Sequence, residues 1–143
     1  MIKPQRVLII SLGVYPTNQA MAVLIHALAK ELGTDHVVVV GEQCDTDDPW
    51  DKVNYPLFYV NPKTLGLKRG KDYQKWLSYP SVVRRIIKIA EEQKCTSILC
   101  PFPDEFYMSV SLAVAKKTKL PFYPWFHNTY LENRSGFKEL VAR

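Results

Sequence analysis

Two kinds of hydrophobic pattern alternate along the chain. Within Arg6–Ser11, Val7-Leu8-Ile9-Ile10 is an unbroken apolar run, the pattern of a strand covered by helices on both faces. After a loop from Leu12 to Asn18, the stretch Gln19–Leu32 sets Met21, Leu24, Ile25, Leu28 and Leu32 at the spacing of one helical face, and Gly33 is suited to end that helix. His26 falls on the opposite side with Ala22 and Lys30, which predicts a surface histidine. Val37-Val38-Val39-Val40 before Gly41 repeats the buried-strand run. A strand, a helix and a strand in this order predict parallel pairing through a helical crossover.

The middle of the chain is less regular. The acidic stretch Glu42–Asp51 lacks calcium-loop spacing. Leu57–Val60 predicts a short third strand, and a long basic connection containing Trp76 and Tyr79 follows. Connections of that length inside a compact domain tend to be functional or mobile. From Ser81 to Gln93 the apolar positions Val82, Val83, Ile86, Ile87 and Ala90 predict a helix with Arg84, Arg85 and Lys88 on its wet face. Ser97–Cys100 predicts a strand, Pro103-Asp104-Glu105 a helix start with acids in the first turn, Phe106–Lys117 its body, and Phe122–Phe126 a last strand. This alternation specifies an α/β fold: a Rossmann-like, mostly parallel sheet with helices on both faces, in a single domain.

Composition keeps that picture and narrows the partners. The chain has 143 residues, 47% hydrophobic and 23% charged, enough for one core and unlike a disordered segment. No apolar run is long enough to span a membrane, and Met1-Ile2-Lys3-Pro4-Gln5-Arg6 leads straight into a strand without a signal peptide, so a cytoplasmic protein is expected. Cys44, Cys95 and Cys100 are odd in number and lack CxxC spacing, which favours buried or idle thiols over a disulfide framework or a zinc site, and no metal is expected. Charge is uneven. Between Asn61 and Ala90 eight lysines and arginines face the single acid Asp72, more than the whole chain's net +5. Lys68, Arg69, Lys71 and Lys75, interleaved with Tyr73, Trp76, Leu77 and Tyr79, suit an anionic partner such as phosphate groups or a membrane surface. No recognised nucleic-acid motif accompanies them, and no nucleic acid is expected. The same run also fits an ordinary solvated surface.

In an open parallel sheet, ligands gather at the carboxyl ends of the strands, which directs attention to the loops after Ser11, Val40, Cys100 and Phe126. The first, Leu12–Asn18, leads into a helix whose terminal amides attract anions, yet it has neither GxGxxG nor a Walker lysine, against a dinucleotide or P-loop site. The last, Phe126-His127-Asn128-Thr129-Tyr130, sets an imidazole, an amide and two hydroxyls at a strand end, with Glu132 and Arg134 close behind. A histidine there can donate to a sugar hydroxyl or shuttle a proton.

Several segments together resemble a known family. Arg6-Val7-Leu8-Ile9-Ile10-Ser11-Leu12-Gly13, the helix ending Leu28-Ala29-Lys30-Glu31-Leu32-Gly33, and Asp35-His36-Val37-Val38-Val39-Val40 resemble the opening of GT-B fold glycosyltransferases, most of all the retaining glycosyltransferase family 4. Ile98-Leu99-Cys100-Pro101-Phe102-Pro103-Asp104, Leu112-Ala113-Val114-Ala115-Lys116-Lys117, and Leu120-Pro121-Phe122-Tyr123-Pro124-Trp125-Phe126-His127-Asn128 are similar to the strand, helix and strand-then-histidine segments of its amino-terminal domain. Where the family usually has two adjacent glycines this chain has Gly13-Val14, and Asn128 stands where aspartate often follows the histidine.

The resemblance implies a transferase that moves a sugar from a nucleotide-sugar donor to a glycan, lipid-linked or small-molecule acceptor, with no further cofactor. It implies His127 as the catalytic residue against the donor sugar and Gly13 and Asn128 on the donor. Tyr15, Asn18, Asp104, Glu105, Tyr130, Glu132 and Arg134 would hold the acceptor, and Lys68, Arg69, Lys71 and Lys75 would form an anionic-surface contact, including a peripheral membrane contact at the inner face. The family's carboxyl-terminal domain, which binds most of the nucleotide, is not encoded before Arg143. The expectation is therefore an acceptor-side half that is inactive alone and completed by a further domain or a partner subunit. The alternative is a stand-alone α/β module that binds an anionic ligand or surface without catalysis.

Overall fold

The computed structural model describes residues 5–17, 19–43, 48–61, 75–101 and 104–125. β1 (Val7–Gly13), β2 (Val37–Glu42), β3 (Leu57–Tyr59), β4 (Ser97–Pro101) and β5 (Phe122–Trp125) form one sheet in the order β3-β2-β1-β4-β5. Every pairing is parallel, with Val7 opposite Val37 and Ser97, Val39 opposite Leu57, and Ile98 opposite Phe122. Three helices cover it: α1 (Ala20–Leu32), α2 (Tyr79–Glu92) and α3 (Glu105–Thr118).

Strand order explains why the helices divide between two faces. From β1 the chain steps outward to β2 and β3, then returns to the other side of β1 to lay down β4 and β5. Because crossovers keep one hand, reversing the direction of travel reverses the face that the helix covers. Ile25 and Ala29 of α1 accordingly pack with Ile9, Val37 and Val39 on one face. On the other face, Val82, Ile86 and Ile89 of α2 and Tyr107, Val110 and Val114 of α3 pack with Leu8, Ile10, Val38 and Ile98. Adjacent residues of a strand point to opposite faces, so the runs Val7–Ile10 and Val37–Val40 must be apolar at every position. Arg84, Arg85 and Lys88 lie exposed on α2, and Asp104 caps α3 by accepting from the Tyr107 amide at 2.7 Å.

One expectation is corrected. Of the predicted face of α1, Ile25 is buried and Met21 and Leu28 pack partly buried against the same cluster, but Leu24 and Leu32 are exposed, and the buried stripe turns instead to include Ala22, His26 and Ala29. His26 is thus an interior residue. Small alanines let the helix approach the sheet closely, and the histidine is admitted because both ring nitrogens have polar partners, the ordinary condition for burying such a group. Cys95 and Cys100 are buried free thiols, and burial pushes both up to about 11. Cys44 lies outside the described residues. No helix among the described residues is long and apolar enough to cross a membrane.

Candidate functional site

The strand order changes direction at β1, so the carboxyl ends of β1 and its neighbours β2 and β4 border the crevice where such sheets take ligands. β1 carries a one-residue bulge there: Ile10 faces Val40, but Gly13 faces Glu42. Gly41 makes the bulge possible. A Cβ at that position would lie 2.5 Å from the Val14 methyls and 2.6 Å from the Ser11 carbonyl oxygen, so any side chain would drive apart the two strands. A Cβ on Gly13 would meet Gln19 and Ala22 only at 3.6 and 3.9 Å, ordinary contact distances, so packing alone does not demand glycine there.

β2 ends in Glu42, whose carboxylate receives Lys75 Nζ at 3.0 Å. Both side chains are less than a quarter exposed. Lys75 belongs to a helical turn, residues 75–77, just before α2. Its ammonium also lies 4.9 Å from the Phe106 ring centre and 4.8 Å from that of Tyr107, an arrangement in which ring faces attract the cation. Burial pushes the Glu42 carboxyl above its ordinary value, against the pull of Lys75 and of the Tyr107 hydroxyl, while the charge of Asp104 pushes the same way as burial. The Tyr107 phenol is itself raised far above its ordinary range by burial, then by Glu42 and Asp104, and remains a neutral donor. The carboxyl edge therefore brings Glu42, Lys75 and Asp104 together beside the end of β1, over the buried Tyr107. Carboxylates next to fixed donors accept hydrogen bonds from a polyhydroxylated ligand, and a carboxyl displaced upward by burial is a common mark of a ligand site.

A cavity of about 860 Å³ lies at the other end of the sheet between Arg6, Thr34, His36, Gln93 and Thr96. Its polar groups hold the fold together. Arg6 donates to Gln93 O at 2.6 Å and Thr34 O at 2.9 Å, tying the turns before β4 and β2, and exchanges hydrogen bonds with Thr96. Size alone does not make it the site.

The residues expected from sequence divide into three groups. Gly13, Asp104 and Glu105 stand at the carboxyl edge, with Glu105 exposed in the first turn of α3. Tyr15 does not: it is 5% exposed, its hydroxyl is bonded to the Asp51 main chain, and its ring stacks on His26, so it is turned away from an acceptor. Lys75 likewise is no free surface cation, since Glu42 already matches its charge. Asn18, Lys68, Arg69, Lys71, His127, Asn128, Tyr130, Glu132 and Arg134 lie outside the described residues. Sequence reasoning missed Glu42 and Tyr107. Glu42 had a usable signal, since a carboxylate directly after a buried run stands at a strand end. Among the described residues no group of three histidines, cysteines or acids is placed to hold a metal ion. No protein-family model matches the chain, and no curated protein matches it.

Proposed function

We propose that this Rossmann-like domain forms the acceptor side of a glycosyltransferase that uses a nucleotide-sugar donor. The observation that carries the reading is the half-buried Glu42–Lys75 pair set beside Asp104 at the carboxyl edge of a parallel sheet, near the point where strand order reverses. Glu42 and Asp104 would accept from acceptor hydroxyls, with Lys75 and the Tyr107 hydroxyl holding the Glu42 carboxylate in place. The resemblance supplies the donor, with Gly13 and Asn128 toward it and His127 as the catalytic residue. On this reading transfer needs a second, nucleotide-binding domain, because a site built between two domains loses orientation when one is missing.

Saturation-transfer NMR with nucleotide-sugars and short glycans tests the reading. The glycan signal should fall several-fold in Glu42→Gln/Asp104→Asn with the fold retained. Binding that survives the double substitution unchanged would remove the carboxylates from the site. A membrane-linked acceptor is favoured by the exposed Leu77 and Trp76 at the end of the basic segment. Anionic vesicles should then sediment the chain in a salt-sensitive way that Lys68→Glu/Arg69→Glu/Lys71→Glu weakens; equal recovery with neutral vesicles would reject the contact.

A further inference from the structure

The buried histidine of α1 has a polar partner at each ring nitrogen and aromatic rings packed against it. His26 Nε2 lies 2.9 Å from Asp51 Oδ2, and Nδ1 lies 2.6 Å from the Tyr55 hydroxyl. Tyr15 stacks on the imidazole at 4.5 Å, and Trp50 meets it edge-on at 5.0 Å. Asp51 is held well below the carboxylate range by Lys30, then by His26 itself, so it is ionised and can only accept. In the neutral ring Nε2 carries the hydrogen toward Asp51 and Nδ1 accepts from Tyr55, whose phenol burial keeps neutral. The neutral ring thus has one tautomer that satisfies both partners, with the chain Tyr55 O–H to Nδ1 and Nε2–H to Asp51.

This network leads to the ligand edge. Tyr15 belongs to the loop Val14–Thr17, directly after Gly13. Its carbonyl accepts from the Tyr59 hydroxyl at 2.8 Å, its hydroxyl bonds the Asp51 main chain, and the carbonyl of Pro16 accepts from the Trp50 indole at 2.9 Å. The loop thus rests on His26 and is fastened sideways to residues 50–59.

We infer that His26 is a positioning residue that sets the Val14–Thr17 loop against the carboxyl edge, and that protonating it displaces the loop. A protonated imidazole donates from both nitrogens. The Tyr55 hydroxyl, which now gives its proton to Nδ1, must turn to accept, and that proton loses its acceptor in a buried site. Attraction to Asp51 grows at the same moment, although Lys30 already occupies the same oxygen at 2.7 Å. The ring is drawn toward Asp51 and away from Tyr55, and Tyr15, stacked on it, moves with it. The charged and titratable groups around His26 are Tyr15 from the loop, Lys30 and Glu31 from α1, Asp51, Lys52 and Tyr55 from the segment before β3, and Tyr59 from β3 through Tyr15. The consequence for affinity rests on the proposed ligand edge; the loop movement does not.

NMR of the whole chain, followed from alkaline to acid pH, tests this without any ligand. At the upper end His26 should show the Nε2–H tautomer. As it protonates, the amides of Gly13, Val14, Tyr15 and Thr17 and the Trp50 indole should shift with its midpoint, while Gln93 and Cys95 do not follow. Tyr55→Phe removes the hydroxyl that must turn, so the imidazole should still titrate while the loop response falls by half or more. His26→Phe keeps the stack and should abolish the step; if that variant fails to fold, wild type and Tyr55→Phe still decide. An Nδ1–H tautomer, a loop unmoved while His26 titrates, or an imidazole neutral until the chain unfolds would each overturn the inference. A glycan bound at the edge should weaken several-fold across the step. If no glycan binds at any pH while the loop still moves, the functional proposal fails and the positioning role stands.

Discussion

Among the described residues, two ionic clusters lie on opposite faces of one sheet, and they treat their carboxylates in opposite ways. Glu42 is destabilised as an ion by burial, with one lysine as its matching charge. Asp51 is exposed enough to keep water and is stabilised as an ion by Lys30 and His26 together. The difference teaches which cluster is a fastening and which is poised. A carboxylate satisfied by several donors gains little from a new partner, whereas one held reluctantly in its charged form gains from any ligand that donates to it.

Gly41 is the joint between the two, adjacent to Glu42 on one side and packed on Val14, next to Tyr15, on the other. Gly41→Ala should therefore give the largest loss, about 3 kcal/mol, since a backbone oxygen at the clash cannot give way. Gly13→Ala, with ordinary contacts only, should change stability by less than about 0.5 kcal/mol. Chemical denaturation of both variants measures the contrast, and equal losses would erase the distinction between them.

Lys75→Met comes next. It leaves Glu42 without its cation, so the carboxyl should climb further above 4.5 and stability should drop by about 1–2 kcal/mol, less than for a fully buried pair. Carboxyl-carbon NMR and denaturation check the two effects separately. Lys30→Met should lift the Asp51 carboxyl toward its ordinary value while stability barely changes, because both partners are about one-third exposed. A loss as large as that of Lys75→Met would show the clusters to be alike.

Acid dependence separates them by sign. Asp51 has a depressed folded value, so its contribution is present above the ordinary 3.8 and is lost only as pH falls below it. Glu42 has a raised folded value, so stability declines as pH rises from 4.5 through that raised value. Stability profiles of Asp51→Asn and Glu42→Gln should flatten these two limbs respectively. The same limb flattened in both variants would contradict the assignment.

β1 and β2 were legible because a sheet covered on both faces demands apolar residues at every position, a pattern no loop imitates. The Asp104 start of α3 was legible for a local reason, since a cap bonds its own first turn. The buried face of α1 was legible only in part: Ile25, Met21 and Leu28 pack inward, but Leu24 and Leu32 do not. Periodicity ranks Leu24 above Ala22 and His26, yet the packing is decided by Tyr15, Asp51 and Tyr55, which come from distant segments and satisfy the histidine. Lys75 read as a surface cation for a related reason: its partner Glu42 lies 33 residues away, and a charge pattern carries no record of such a neighbour. Tyr15 read as a ligand contact because strand-end loops often provide one, whereas its ring and hydroxyl are taken up inside.

Amide shift mapping of the isotopically labelled chain with an added nucleotide-sugar and a short glycan acceptor tests the ligand edge most directly. Perturbations should centre on Gly13, Glu42, Asp104 and Glu105, with Arg6, Thr34 and Thr96 silent. Shifts confined to the cavity around Arg6, Thr34 and Thr96, or none at saturating glycan, would contradict the assignment of the carboxyl edge as the binding site.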